Sequence, residues 1–120
     1  MRSSGARALG YVPARDLAGL YGTADTVAYA SVYEGFALPP VEAAACGAPV
    51  GALPELFGRT MDLAVPGDSR QLAEMLQAAV FDEDYRASLR VEGLKAVAGL
   101  SWDATARATT GVCRSLGVEA

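Results

Sequence analysis

Two glutamates eight positions apart, Glu34 and Glu42, frame the stretch of this chain best equipped for chemistry. Between them lie Gly35, Phe36, Ala37, Leu38 and a Pro39-Pro40 pair, a glycine-bearing turn that runs into a helix start. Polar strand-to-helix turns of this kind are where α/β proteins hold ligands, because free backbone N–H groups gather there. Read alone, Glu42 also fits a plainer role as a first-turn carboxylate that complements the helix dipole. Other chemistries lack their parts. The chain has no histidine, which removes His-based triads and most zinc sites. Cys46 and Cys113 have neither metal-ligand nor disulfide-framework spacing, and Cys46 reads as a small buried thiol.

The elements around that turn must position it. Upstream, the apolar run Thr26 to Ser31 suits a strand covered on both faces, as in parallel sheets. Pro40 fits the first helical position, placing Glu42 in the first turn, and Ala43, Ala44 and Ala45 make a thin helix that can lie close to a sheet. Gly47 is the expected C-terminal cap, and Pro49 to Ala52 the next, short strand.

Further out, Leu9 to Val12 reads as a strand. Leu17, Leu20, Tyr21 and Ala24 give the spacing of an amphipathic helix. Leu53 to Gly58 reads as one helical turn and Leu63 to Val65 as a strand. Asp68 with Gln71 forms a capping-box pattern, opening a helix with Leu72, Met75, Leu76, Ala79 and Val80 inward. Asp82 caps another through about Ala98, with Tyr85, Leu89 and Val97 inward, and Ser101 caps the last, which Trp102 is expected to pin to the core. The order β-α-β-α-β-β-α-α-α predicts an open α/β sheet.

At 120 residues and 52% hydrophobic content, one domain with one core is expected. The net charge is −4 and the basic residues form no stripe, which disfavours nucleic acid as a partner. No apolar run reaches the length of a transmembrane segment, and the N-terminus is too polar for a signal peptide. A cytoplasmic address is the default expectation.

The stretch Glu34-Gly-Phe-Ala-Leu-Pro-Pro-Val-Glu42 resembles the E-x7-E signature of retaining, GT-B-fold glycosyltransferases of the family 4 type, within the glycosyl transferases group 1. Gly10-Tyr11-Val12-Pro13, Asp16-Leu17, Leu20-Tyr21 and Ala24-Asp25 upstream are similar to the family's run in the same order. So are Ala45-Cys46-Gly47-Ala48-Pro49-Val50, Leu53-Pro54-Glu55, Pro66-Gly67-Asp68 and Ser101-Trp102 downstream. The resemblance implies a Rossmann-like open parallel sheet, here part of the C-terminal donor domain. Its first strands and the N-terminal acceptor domain are absent from these 120 residues.

The resemblance further implies a nucleotide-sugar site. The position of Glu34 contacts donor-sugar hydroxyls and is the candidate catalytic residue. Gly35, Phe36, Ala37 and Leu38 bring backbone N–H groups to the sugar and diphosphate, and Glu42 accepts hydrogen bonds from the ribose. Neighbouring hydroxyls pair with a carboxylate and a diphosphate with free N–H groups, so the residue types suit the task. No metal and no cofactor beyond the nucleoside diphosphate sugar are implied. The chain departs from the family at Ala37, where the usual residue is glycine, in a short segment after Val50, and in lacking the Arg/Lys pair for the diphosphate. Two functions follow as alternatives: a fragment of a hexosyltransferase, a poor catalyst by itself, or a non-catalytic or vestigial module acting with a partner chain. Self-association through an exposed sheet edge is a corollary, and Met1 being internal to a longer reading frame is a further alternative. A signalling receiver of similar length is disfavoured, because Lys95 sits in a late helix rather than after a strand.

Overall fold

The computed structural model describes residues 5–31, 35–51, 65 and 67–118. Pro13 introduces helix α1 (Ala14–Thr23), followed by strand β1 (Val27–Ala28), helix α2 (Leu38–Ala45) and strand β2 (Val50–Gly51). Three helices complete the order: α3 (Ser69–Phe81), α4 (Glu83–Val97) and α5 (Trp102–Ser115). The described part is helix-rich, and its sheet is a single parallel ladder with Val27 opposite Val50 and Ala28 opposite Gly51. The Pro49 carbonyl fixes that register by accepting from the Val27 N–H at 2.8 Å and from the Thr26 hydroxyl at 3.3 Å.

The core lies where α2 meets α4, β2 and α1, with α3 packed against α4. Ala43, Ala44, Ala48, Val50, Ala79, Leu89 and Val97 are buried there, and Tyr21, Val27, Val41, Tyr85 and Ala96 pack against them. Alanines on α2 let its backbone approach both neighbours, so the helix is as thin as its sequence promised.

Helix ends follow local chemistry. The side chains of Asp68, Asp82 and Ser101 accept from the N–H groups of Gln71, Tyr85 and Ala104, each satisfying a donor that the helix cannot. The box at α3 is not reciprocal: the Gln71 Oε1 reaches past Asp68 to the Val65 N–H at 2.6 Å, tying the preceding loop to the helix. At the far end of α2, Gly47 takes a positive φ of 77°. Gly47 then donates to Ala44 and Ala48 donates to Ala43, the paired bonds of a Schellman closure.

Several expectations are corrected. Residues 9–12 form no strand, and Leu9 and Tyr11 are exposed, since no neighbouring strand among the described residues offers them a ladder. The run from Thr26 to Ser31 contributes only Val27–Ala28 as strand, and Ala28 and Ala30 are exposed, so it is not covered on both faces. Leu20 is exposed too. Val65 lies outside any strand, while Leu53 to Gly58, Leu63 and Ala64 fall outside the described residues. Cys46 is the C-cap of α2 and only partly buried. Trp102 does not pin the last helix: it is 79% exposed, and α5 buries none of its side chains.

Leu89→Ala is therefore expected to destabilise the chain by about 2–4 kcal/mol in urea denaturation, by removing methyl groups from the core. Trp102→Ala should change stability by no more than about 0.5 kcal/mol. A larger loss at Trp102 than at Leu89 would contradict this placement of the core.

Candidate functional site

Helix α2 begins two residues earlier than Pro40. Leu38 is its first residue, with Pro39 and Pro40 second and third. The cause is that neither proline's missing N–H would have found an intrahelical partner at those positions, and both rings pre-set a helical φ. Pro40 is also fully buried, so it seats the helix start in the core without burying a donor. Glu42 consequently stands fifth in the helix rather than in its first turn, where no acidic residue occurs. The dipole-complementing role is thus excluded as its main explanation.

The N-terminus of α2 is uncapped by any side chain. An α-helix leaves its first four N–H groups without helical partners, and two of these four positions are proline. The donors that remain at this end are the N–H groups of Ala37 and Leu38. Ala37 itself adopts the left-handed conformation, with φ 58° and ψ 64°, and is only 4% exposed. Its methyl therefore meets protein rather than standing out into solvent. Outside glycine this conformation costs about 1–2 kcal/mol, and the surrounding packing must hold it. Gly35 sits in a bend with open space around it, and Phe36 is 51% exposed beside it.

Of the expected site residues, the structure brings Gly35, Phe36, Ala37 and Leu38 together at the helix start and places Glu42 one turn along. Glu34 lies outside the described residues. Glu42 is exposed and makes no hydrogen bond or ion pair among the described residues, so its carboxylate is available to an incoming group. Among the described residues no three His, Cys, Asp or Glu side chains come together as a metal site would require.

One residue's surroundings were missed by sequence reasoning. Tyr21 on α1 was read as an inward apolar position and a family landmark, and α1 packs against α2, which carries Glu42. Burial raises its phenol above the ordinary value of 10.0, and the negative charges of Glu42 and Cys46 add to the rise. The signal was the helical register: α1 packs on α2, and Glu42 and Cys46 are one turn apart on α2. Because the phenol keeps its proton longer in the folded state, its contribution is intact below pH 10.0 and is lost as pH climbs through the higher folded value.

A profile described as "Glycosyl transferases group 1" matches residues 4–95, most of the chain. The chain belongs to that family. It is 38% identical over 102 residues to the O-antigen chain mannosyltransferase B of Escherichia coli, covering 81% of this chain and 27% of that protein. It is likewise 38% identical over 103 residues to a D-inositol 3-phosphate glycosyltransferase of Corynebacterium jeikeium, covering 80% of this chain and 25% of the other. Identity to the serotype-specific mannosyltransferase WbdA of Escherichia coli is 33% over 102 residues, or 81% of this chain and 12% of that one. The chain thus spans about a quarter or less of the length of these curated relatives. No solved structure matches it.

Membership of glycosyl transferases group 1 makes the left-handed Ala37 the sharpest test of the site's backbone. Ala37→Gly removes the left-handed cost but loosens the unfolded chain and deletes a buried methyl, so stability should stay within about 1 kcal/mol of the parent. Ala37→Val, β-branched at a positive φ, should cost about 2 kcal/mol or more. Equal tolerance of glycine and valine, measured by urea denaturation, would contradict the conformation described.

Proposed function

We propose that this chain is part of the donor-binding half of a GT-B-fold, retaining glycosyltransferase of the family 4 type. In the complete enzyme it would serve transfer of a hexose from a nucleoside diphosphate sugar to an acceptor. The observation that carries the reading is Glu42, exposed and without a hydrogen bond or ion pair among the described residues, one turn beyond an uncapped helix start. A ribose bears two neighbouring hydroxyls that a carboxylate can accept together, and its diphosphate suits the Ala37 and Leu38 N–H groups. Glu34, with Gly35 and Phe36, is assigned to the donor sugar. Mannose is the first sugar to test, because two of the relatives described are named as mannosyltransferases. Family membership supports an α/β sheet wider than the single ladder described, and a cytoplasmic address fits the use of nucleotide sugars.

Catalysis by these 120 residues alone is expected to be poor. The relatives use roughly three times or more additional chain, and the sequence here contains no histidine and only one lysine, Lys95. A nucleotide-sugar site by itself supplies only part of the charge stabilisation and reactant positioning that transfer requires.

A second reading, a non-catalytic module that works only with a partner chain, is favoured by one observation. Helix α5 exposes Trp102, Val112 and Leu116, and the radius of gyration is 17.1 Å against about 13–14 Å for a compact chain of this length. Such a surface suits a polypeptide partner.

Isothermal titration with UDP-, GDP- and ADP-sugars, a mannosyl donor among them, separates these readings. Binding by the parent chain that weakens about tenfold or more in Glu42→Ala is the expected result. Binding indifferent to Glu42→Ala would remove the ribose assignment, and robust transfer by the isolated chain would remove the claim of incompleteness.

A further inference from the structure

We propose that the outer faces of α4 and α5 form an interface with a second copy of this chain, each α5 seating antiparallel on the α4 of the other copy. The inference is independent of the donor-site reading, since neither helix carries a residue assigned to that site.

Helix α4 is apolar on two opposite sides. Leu89, Gly93 and Val97 are buried on one of them. Ala87, Val91, Leu94 and Ala98, at spacings of four, three and four, form an exposed stripe on the other. Helix α5 has an exposed stripe as well: Trp102, Thr105, Thr109, Val112 and Leu116, at spacings of three, four, three and four. That alternation is the seam of a helix that lies along another helix. Yet α5 buries none of its side chains and packs substantially on no other described element. The two stripes sit on consecutive helices, and neither covers the other.

Two features select a second copy as the occupant. The first is area. Val91, Leu94, Leu100, Trp102, Val112 and Leu116 are 45–79% exposed and offer on the order of 700 Å², close to the roughly 800 Å² per partner of a stable interface. A reciprocal, two-fold pair uses both stripes of both chains and closes on itself. The second is charge order. Asp84 and Lys95 stand towards opposite ends of α4, Asp103 and Arg114 towards opposite ends of α5, and none makes an ion pair among the described residues. Antiparallel seating brings Arg114 to the Asp84 end and Asp103 to the Lys95 end, whereas parallel seating sets like charges together. Because α5 leaves its own α4 uncovered, it meets the α4 of another copy without any change in the residues that join the two helices.

Trp102 is the only tryptophan, so its emission reports burial of the stripe. Sedimentation velocity of the full chain from about 10 to 500 μM should show monomer giving way to dimer, with Trp102 emission moving to the blue over the same range. Unfolding measured well below that range reads the single chain. Val91→Asp, at an exposed position, should weaken association about tenfold or more. Arg114→Glu should weaken it by roughly two- to fivefold, and Asp84→Arg should restore it in the double variant. A monomer at every concentration would overturn the proposal. So would blue emission at every concentration without dimer, which would place α5 on its own α4. A dimer indifferent to Val91→Asp would put the contact elsewhere and overturn it too, and failure of Asp84→Arg to restore Arg114→Glu would overturn the antiparallel seating.

Discussion

The contact of α2 with its neighbours is the constraint on which the rest of the structure depends. Ala43 and Ala44 have no exposed surface, and through them the helix lies against α4, β2 and α1 at once. Larger side chains there would drive the backbones apart by more than packing tolerates. The Schellman closure at Gly47 then turns the chain directly through Pro49 into β2, whose Val50 is itself fully buried. Helix, turn and strand thus form one rigid unit, and α1 is held against it with Tyr21 in place. Small residues bury little area each, so much of the core's energy comes from Val50, Leu89 and Val97.

That rigidity is what gives the helix start its chemical character. Pro40 is anchored in the core, and the two prolines leave Ala37 and Leu38 as the donors at this end of α2. The left-handed Ala37 aims the chain into the helix, and its strain persists because its buried methyl and the anchored Pro40 hold it. Glu42, displaced one turn along, makes no hydrogen bond or ion pair among the described residues. An uncapped helix start and an exposed carboxylate about a turn away are the geometry behind the proposed donor site.

What was legible in the sequence was local. Asp68, Asp82 and Ser101 cap their helices as read, and Gly47 closes α2, because a cap involves residues three or four positions apart. The family landmarks around Glu34 and Glu42 were legible for the same reason. The start of α2 was not. Leu38 and Pro39 each precede a proline, a position that disfavours helical backbone, so the prolines suggested a later start than packing imposes. Leu9 to Val12 and Trp102 failed because a strand needs a ladder and an aromatic anchor needs a surface, and neither partner is encoded nearby. The packing of α1 on α2 is likewise a fact of two helices meeting.

Amide chemical-shift mapping during titration with a nucleoside diphosphate tests the central claim most directly, since it reads the helix start itself. The account predicts that the largest shifts fall on the amides of Gly35 to Leu38 and around Glu42, with α5 unaffected. Shifts confined to α4 and α5, or saturable binding that leaves the Ala37 and Leu38 amides unmoved, would contradict it.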